Sequence, residues 1–209
     1  MKKNITIVGA GLVGSLCAVY MTKRGHKVRI FERRNDLRSE IISAGKSINL
    51  ALSKRGWTAL KKVGIHERVM EIAIPMYKRI MHDAKGNLSE QNYGKDGEAI
   101  YSVSRVELNI LMIKLAAKNG AKLHFNEKCV GVDLEGGNAT FENTNTNKKQ
   151  TVSADLVIGA DGAFSAVRKE MVKNSNQEYS YNEIDHDYKE LLIPAGKNGN
   201  HLLYKNALH

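Results

Sequence analysis

The sequence predicts an α/β fold built around a parallel β-α-β unit, and three observations carry that prediction. A β-rich run, Asn4 to Val8 (NITIV), breaks at Gly9 to Gly14 (GAGLVG) into a helical stretch; a second β-rich run, Lys27 to Phe31 (KVRIF), follows and ends on Glu32. Far downstream, an apolar run at Asp155 to Gly159 leads into a second glycine-flanked turn, Gly159-Ala160-Asp161-Gly162, and then a helix-like stretch carrying Arg168. Between the two turns lie over 120 residues of mixed pattern rather than steady strand-helix alternation.

The elements follow in order. The first helix ends near Arg24-Gly25, with Gly25 suited to the left-handed residue after a helix end. A short β-α-β connection of this kind implies parallel pairing and a right-handed crossover. Arg33 to Lys46 reads as polar loop, and Ser53 to Val63 as a helix capped by Ser53, with Gly56 as an internal weakness. Tyr77 to His82 reads as a strand. Ser104 and Glu107 form a capping box that opens an amphipathic helix, with Leu108, Leu111, Met112 and Leu115 at helical spacing. Leu123 to Phe125 and Lys128 to Leu134 read as strands, EGGN at 135 to 138 as a hairpin turn into Ala139 to Glu142, and Asn143 to Lys149 as a further turn.

Composition narrows the class. The 209 residues suffice for one core, or one domain with part of another, and 42% hydrophobic with 26% charged residues is a globular balance. The net charge of +10 is scattered with no aromatic-interleaved basic stripe, so it points to solubility and attraction for small anions rather than to nucleic acid. Cys17 and Cys129 stand apart, in no CxxC and near no His cluster, which argues against a disulfide framework, a zinc site and a redox dithiol. A reducing, cytoplasmic setting is expected. Lys2 and Lys3 followed by uncharged Ile5 to Met21 imitate a leader or a membrane span. The run is 17 residues, against the roughly 20 a span needs, and no small-residue cleavage site follows. No membrane partner is expected within this chain.

A lone GxGxxG arises by chance; its context makes this one specific. It follows a strand, opens a helix, and has an acid 18 residues beyond its last glycine. Gly9 permits the tight turn, Gly11 lets backbone approach a pyrophosphate, and Gly14 allows close helix-strand packing. The helix start supplies free N–H groups and partial positive charge. Glu32 suits two ribose hydroxyls and repels a 2′-phosphate, so the pocket is expected to hold FAD or NAD rather than NADP. The alternative to a cofactor role for Asp161 is an ordinary Asp-Gly turn at a strand end, a reading that Arg168 and the first motif disfavour.

The order of the two turns resembles the FAD-binding aromatic hydroxylases, whose second turn carries an Asp near the flavin pyrophosphate that is also implicated in NADPH use. The resemblance narrows over Lys46 to Leu60 (KSINLALSKRGWTAL), Tyr101 to Asn109 (YSVSRVELN), Ala160 to Arg168 (ADGAFSAVR), Tyr188 to Pro194 (YKELLIP) and Asn206 to His209 (NALH). Together these stretches resemble the kynurenine 3-monooxygenase family. The resemblance implies a Rossmann-like FAD-binding fold of the aromatic hydroxylase type with part of a mixed-sheet substrate domain, C-terminally truncated, because the family continues beyond NALH. It divides the chain into FAD-binding residues 1–75 and 101–175, a substrate-domain excursion at 76–100, and the start of a substrate-domain sheet at 176–209. A fragment of this kind is expected to be inactive alone.

As the resemblance implies them, Val13, Phe31, Glu32, Arg33, Arg34, Ala51, Arg105, Cys129 and Asp161 join Gly9, Gly11 and Gly14 at bound FAD, with NADPH and O2 as co-substrates. The reaction it implies is hydroxylation of L-kynurenine to 3-hydroxykynurenine, in tryptophan degradation toward quinolinate and NAD. Arg79 and Tyr93 match the family's pair for the substrate carboxylate, where an Arg fork binds at two points. On residue type alone Arg79 is a solvated charge, Tyr93 a half-buried loop aromatic, and Cys129 a buried small hydrophobe. No catalytic nucleophile and no metal ligand is expected, and His82, His124, His186 and His201 read as structural or surface residues. Two other readings stand beside this one: another FAD aromatic hydroxylase, and a non-catalytic FAD-fold binding module.

Overall fold

The computed structural model describes residues 1–39, 49–174, 179–186, 194 and 196–199. Expectations resting on residues 40–48, on 188–193, on His201 and on Asn206 to His209 lie outside the described residues. Along the chain run β1 (Asn4–Val8), α1 (Leu12–Lys23), β2 (Lys27–Glu32), β3 (Asn49–Leu52), α2 (Lys54–Val63), α3 (His66–Met70), β4 (Ile74–Met76), β5 (Lys78–His82) and β6 (Leu88–Asn92). There follow β7 (Ile100–Ser104), α4 (Arg105–Lys118), β8 (Lys122–Phe125), β9 (Glu127–Asp133), β10 (Asn138–Asn143), β11 (Lys149–Ser153), β12 (Leu156–Gly159) and α5 (Ala166–Lys173). The chain divides into two compact units, Met1–Ile42 with Val106–Asn182, and Ser43–Arg105 with Glu183–His209.

The first unit holds a four-stranded sheet in the order β12-β1-β2-β8. All its pairings are parallel, with Ile5 opposite both Leu156 and Val28. Alternation along β1 and β2 puts the buried Ile5, Ile7, Val28 and Ile30 on one face. Val8 and Phe31, on the other face, pack with Cys129, Ala139, Phe141 and Val167. The Phe31 ring stacks on Phe141 with centroids 4.0 Å apart and on His124 at 4.5 Å. Truncating such a fully buried ring costs about 3–5 kcal/mol.

The partner layer is an antiparallel meander, β11-β10-β9. The turn between β9 and β10 forms at 134–137, one residue earlier than expected, because Asn138 already pairs with Asp133. The expected turn through Lys149 is corrected: Lys149–Ser153 is a strand pairing β10 from Glu142↔Lys149 to Asn138↔Ser153. Its KQTVS sequence is polar because it lies at the meander edge. Buried Glu127 ties the three strands, accepting from Asn143 Nδ2 at 2.8 Å and Gln150 Nε2 at 3.0 Å. The last strand begins at Leu156, one residue later than expected, because Asp155 instead accepts from Asn4 N at 2.6 Å.

The second unit holds an antiparallel sheet, β3-β7-β4, and the separate hairpin β5-β6. Helix α2 buries Trp57, Leu60 and Val63. Ser53 takes its N-cap position, but no side-chain capping bond forms, and Gly64 closes the helix in the left-handed region at φ 77°. Among the described residues no helix is long and apolar enough to cross a membrane.

Candidate functional site

The first glycine turn is shaped by close packing at both ends and open space at its middle. Gly9 has φ +99°, and a Cβ there would lie 2.5 Å from the Ala160 carbonyl oxygen and 3.0 Å from Asp161 Cα. A Cβ on Gly14 would overlap the Gly9 carbonyl oxygen and lie 3.3 Å from Ala160 Cβ. The second turn therefore backs directly onto the first, which is why the chain returns to a glycine-flanked turn at 159 to 162. Gly11 is different: its backbone is ordinary, φ −66° and ψ −178°, and a Cβ would meet nothing within 4 Å. Gly11 is also the N-cap of α1, with no side-chain cap and no acid in the first turn, and Val13 beside it is 72% exposed. The helix start is left with open N–H groups and its positive dipole end, a setting that favours an anion.

Ala10, between these glycines, is held by side chains at both of its peptide groups. Its N–H donates to Glu32 Oε2 at 2.8 Å. Its carbonyl accepts from Asn109 Nδ2 at 2.9 Å and Ser15 Oγ at 3.0 Å. Glu32 is 6% exposed and also accepts from Arg34, at 3.0 Å from its backbone N and 2.8 Å from Nε. Burial pushes the Glu32 carboxyl up, but the Arg34 side-chain bond, the Ala10 and Arg34 backbone bonds and the Arg34 charge outweigh it and hold the group below its ordinary value.

On the second turn the Asp161 carboxylate faces α5. It accepts from Ser165 Oγ and from Ala166 N, both at 2.6 Å, while Ser165 Oγ caps the helix by accepting from Arg168 N at 3.0 Å. The Arg168 guanidinium donates to the Ala163 carbonyl. Asp161 thus fixes the turn through its side chain while its backbone abuts Gly9.

Beyond the end of β2, Arg33 and Arg34 are exposed. The Phe31 side chain belongs to the core and its carbonyl accepts from Gly9 N at 2.7 Å. Cys129 is likewise a core residue, 8% exposed, with burial pushing its thiol up to about 11. A shift in the β9–β10 register beside it leaves Val130 exposed. His124 sits against Phe31 with Nε2 buried and unpartnered, and burial lowers its imidazole below the ordinary value.

In the second unit Ala51 lies exposed on β3 and Arg105 is the exposed first residue of α4. The β5-β6 register brings Arg79 and Tyr93 to one face. Arg79 pairs with Gln91, and Tyr93 N donates to the Tyr77 carbonyl at 3.0 Å, so Tyr77, Arg79, Gln91 and Tyr93 project on the same side. Gln91 Oε1 accepts from Arg79 Nη2 at 2.9 Å, and the tyrosines are 55% and 39% exposed. Sequence reasoning missed Gln91, Ser15 and Asn109. The last had a signal: Asn109 stands at helical spacing with Met112, Ile113 and Ala116, a polar residue in the buried stripe of α4.

The sequence model of a family described as FAD binding domain matches residues 2–203. The kynurenine 3-monooxygenase of Christiangramia forsetii is 45% identical over 208 residues, covering 100% of this chain and 46% of that protein. That of Flavobacterium johnsoniae is 45% identical over 99% of this chain and 46% of its own length, and that of Anopheles gambiae 41% identical over 99% and 43%. The chain thus spans under half the length of these curated relatives. Among solved structures, the flavin-dependent monooxygenase PieE in complex with FAD and substrate superposes with a TM-score of 0.70 at 20% identity, over 82% of this chain and 32% of that one. A 2-methyl-3-hydroxypyridine-5-carboxylic acid oxygenase superposes at 0.65 and 24% identity, over 81% and 42%. Both share the fold.

Proposed function

This chain belongs to the FAD-binding domain family, and from that premise we propose that it forms the FAD pocket of a flavin-dependent monooxygenase acting on L-kynurenine, with NADPH and O2 as co-substrates. The observation that carries the cofactor reading is the open space at Gly11 beside an uncapped helix start. Protein packing makes no demand for glycine there, while a pyrophosphate lying against the backbone does. The residues fit the group. Gly11 and the first turn of α1 would receive the pyrophosphate, and Glu32 and Arg34 would meet the adenosine ribose. Cys129 and Phe31 would contribute backbone and shape, and Val13, Arg33, Ala51, Arg105 and Asp161 complete the proposed set.

When bound, FAD supplies the redox chemistry that this chain's own side chains lack. The chain's part is to hold and orient. Arg79 would grip the substrate α-carboxylate with its guanidinium fork, its Nη2 steadied by Gln91, and Tyr93 on the same face would donate a hydroxyl bond. In this reading residues 1–75 and 101–175 serve the cofactor, and 76–100 and 176–209 the substrate. The identity to relatives named kynurenine 3-monooxygenase supports the substrate assignment, and a place in tryptophan degradation toward quinolinate and NAD is part of the same proposal.

The test is two-step. The purified protein is gel-filtered with FAD and its absorbance spectrum recorded, and NADPH oxidation by the full-length flavoprotein is then followed with kynurenine and with other aromatic acids. Retained flavin with kynurenine-stimulated oxidation and 3-hydroxykynurenine as product supports the reading. Retained flavin with stimulation by a different aromatic acid moves it to another hydroxylase, and flavin without stimulation by any of them moves it to a binding module.

A further inference from the structure

The bonds around Ala10 assign a role to a residue that the cofactor reading leaves unused. Asn109 is 5% exposed and donates from Nδ2 to the Ala10 carbonyl across 99 residues of sequence. Its neighbours on the buried face of α4 are Leu108, Met112, Ile113 and Ala116. A carboxamide in such a stripe is costly unless bonded, and an aliphatic residue of similar size would fill the space. What Asn adds is a directional donor.

A trans peptide is planar, so the Ala10 carbonyl and the Gly11 N–H lie in one plane and point opposite ways. Pulling the carbonyl toward Asn109 and the fully buried Ser15 turns the Gly11 N–H away from both. The preceding peptide is fixed in the same manner, with the Ala10 N–H on Glu32 Oε2. With Gly9 packed on Ala160 behind it, the turn has its direction set before any ligand arrives.

We infer that Asn109 is a positioning residue for FAD: by clamping the Ala10 carbonyl it aims the Gly11 and α1 N–H groups at the pyrophosphate and keeps Glu32 bonded to the turn. The inference rests on the FAD reading and deepens it. Preorganised donors raise affinity because the cost of ordering them is met on folding rather than on binding. Loss of the clamp therefore weakens cofactor uptake more than it weakens the fold.

The experiment measures FAD affinity of the purified protein by flavin fluorescence titration, with hydrogen exchange of the ligand-free chain read peptide by peptide. Asn109→Leu removes the donor at similar volume, Asn109→Asp replaces it with an acceptor, and Asn109→Gln keeps an amide. The expected result is a rise in the FAD dissociation constant of about 10- to 100-fold for Leu and Asp, near the value of one charged-ligand bond and its geometry. For Gln the expected rise is several-fold smaller. Exchange should rise over residues 8–15 and stay unchanged over the meander. Unaltered FAD affinity in Asn109→Leu and Asn109→Asp overturns the inference while leaving the FAD reading intact. So does exchange that rises throughout the first unit, since that marks a purely structural residue. Wild-type protein that takes up no FAD overturns the reading itself and this inference with it.

Discussion

Glu32 is a buried carboxylate that stays ionised because Ala10 and Arg34 supply donors on both of its oxygens. Its folded value lies below its unfolded one, so the stabilisation it gives is fully present above the unfolded pKa and is lost as pH falls through the folded value. Glu32→Gln keeps the shape and removes the charge. The thermal midpoint of the wild type should exceed that of Glu32→Gln by a constant margin near neutrality, and the gap should close below about pH 4.3, the ordinary glutamate value. A gap that persists unchanged down to pH 3 would mean that the charge contributes nothing. Cys129 makes the opposite case. Burial drives its thiol up to about 11, so essentially no thiolate exists at neutral pH. Iodoacetamide at pH 8 should leave Cys129 unmodified in the native protein and alkylate it in denaturant; mass mapping of the two samples checks this.

At the scale of elements the three glycines of the first turn separate into packing and binding roles. Gly14→Ala forces a methyl into the Gly9 carbonyl, and overpacking of this sort costs about 1–3 kcal/mol, more than the helix propensity that alanine gains. Gly9→Ala adds a strained φ to the clash with Ala160. Gly11→Ala meets neither strain nor contact, so the ligand-free fold should keep its unfolding free energy within about 0.5 kcal/mol while FAD affinity falls at least tenfold. Equal loss of stability at Gly11 and Gly14 would sink the distinction.

These roles could be read in the sequence because β1, the turn, α1 and β2 are contiguous and each obeys a local rule of periodicity or backbone freedom. The EGGN hairpin and the position of Ser53 were legible for the same reason. What the sequence hid is long-range. The KQTVS strand is polar at an edge and became a strand through its partner β10, and the NLAL strand exists through β7. Asn109 escaped notice because its partner, the Ala10 carbonyl, lies 99 residues away. Likewise, Arg79 and Tyr93 carry no local mark, and only the hairpin register sets them on one face.

The whole chain assembles its first unit from both ends: β1 is paired on one side by β2 and on the other by β12, from residues 156 to 159. The Ser43–Arg105 segment of the second unit, with the β5-β6 hairpin, lies between β2 and β12 in the chain. In the proposed function the turns bind the cofactor and the hairpin recognises the carboxylate, and substitutions in the two should divide accordingly. In full-length holoenzyme Arg79→Lys gives up a two-point charged bond and should raise the KM for kynurenine about 10- to 100-fold. Tyr93→Phe loses one hydroxyl bond, about 1 kcal/mol, and should raise it about fivefold. Both should leave the FAD dissociation constant within about twofold of wild type, because the proposed function gives them the substrate carboxylate and not the cofactor. Gly11→Ala and Asn109→Leu should show the reverse, with weakened FAD and, at saturating FAD, an unchanged kynurenine KM. FAD titration beside the substrate dependence of NADPH oxidation reads both quantities for each variant. An Arg79→Lys protein that loses flavin as readily as substrate would place the hairpin in the cofactor pocket and end the assignment of Arg79 and Tyr93 to the substrate alone.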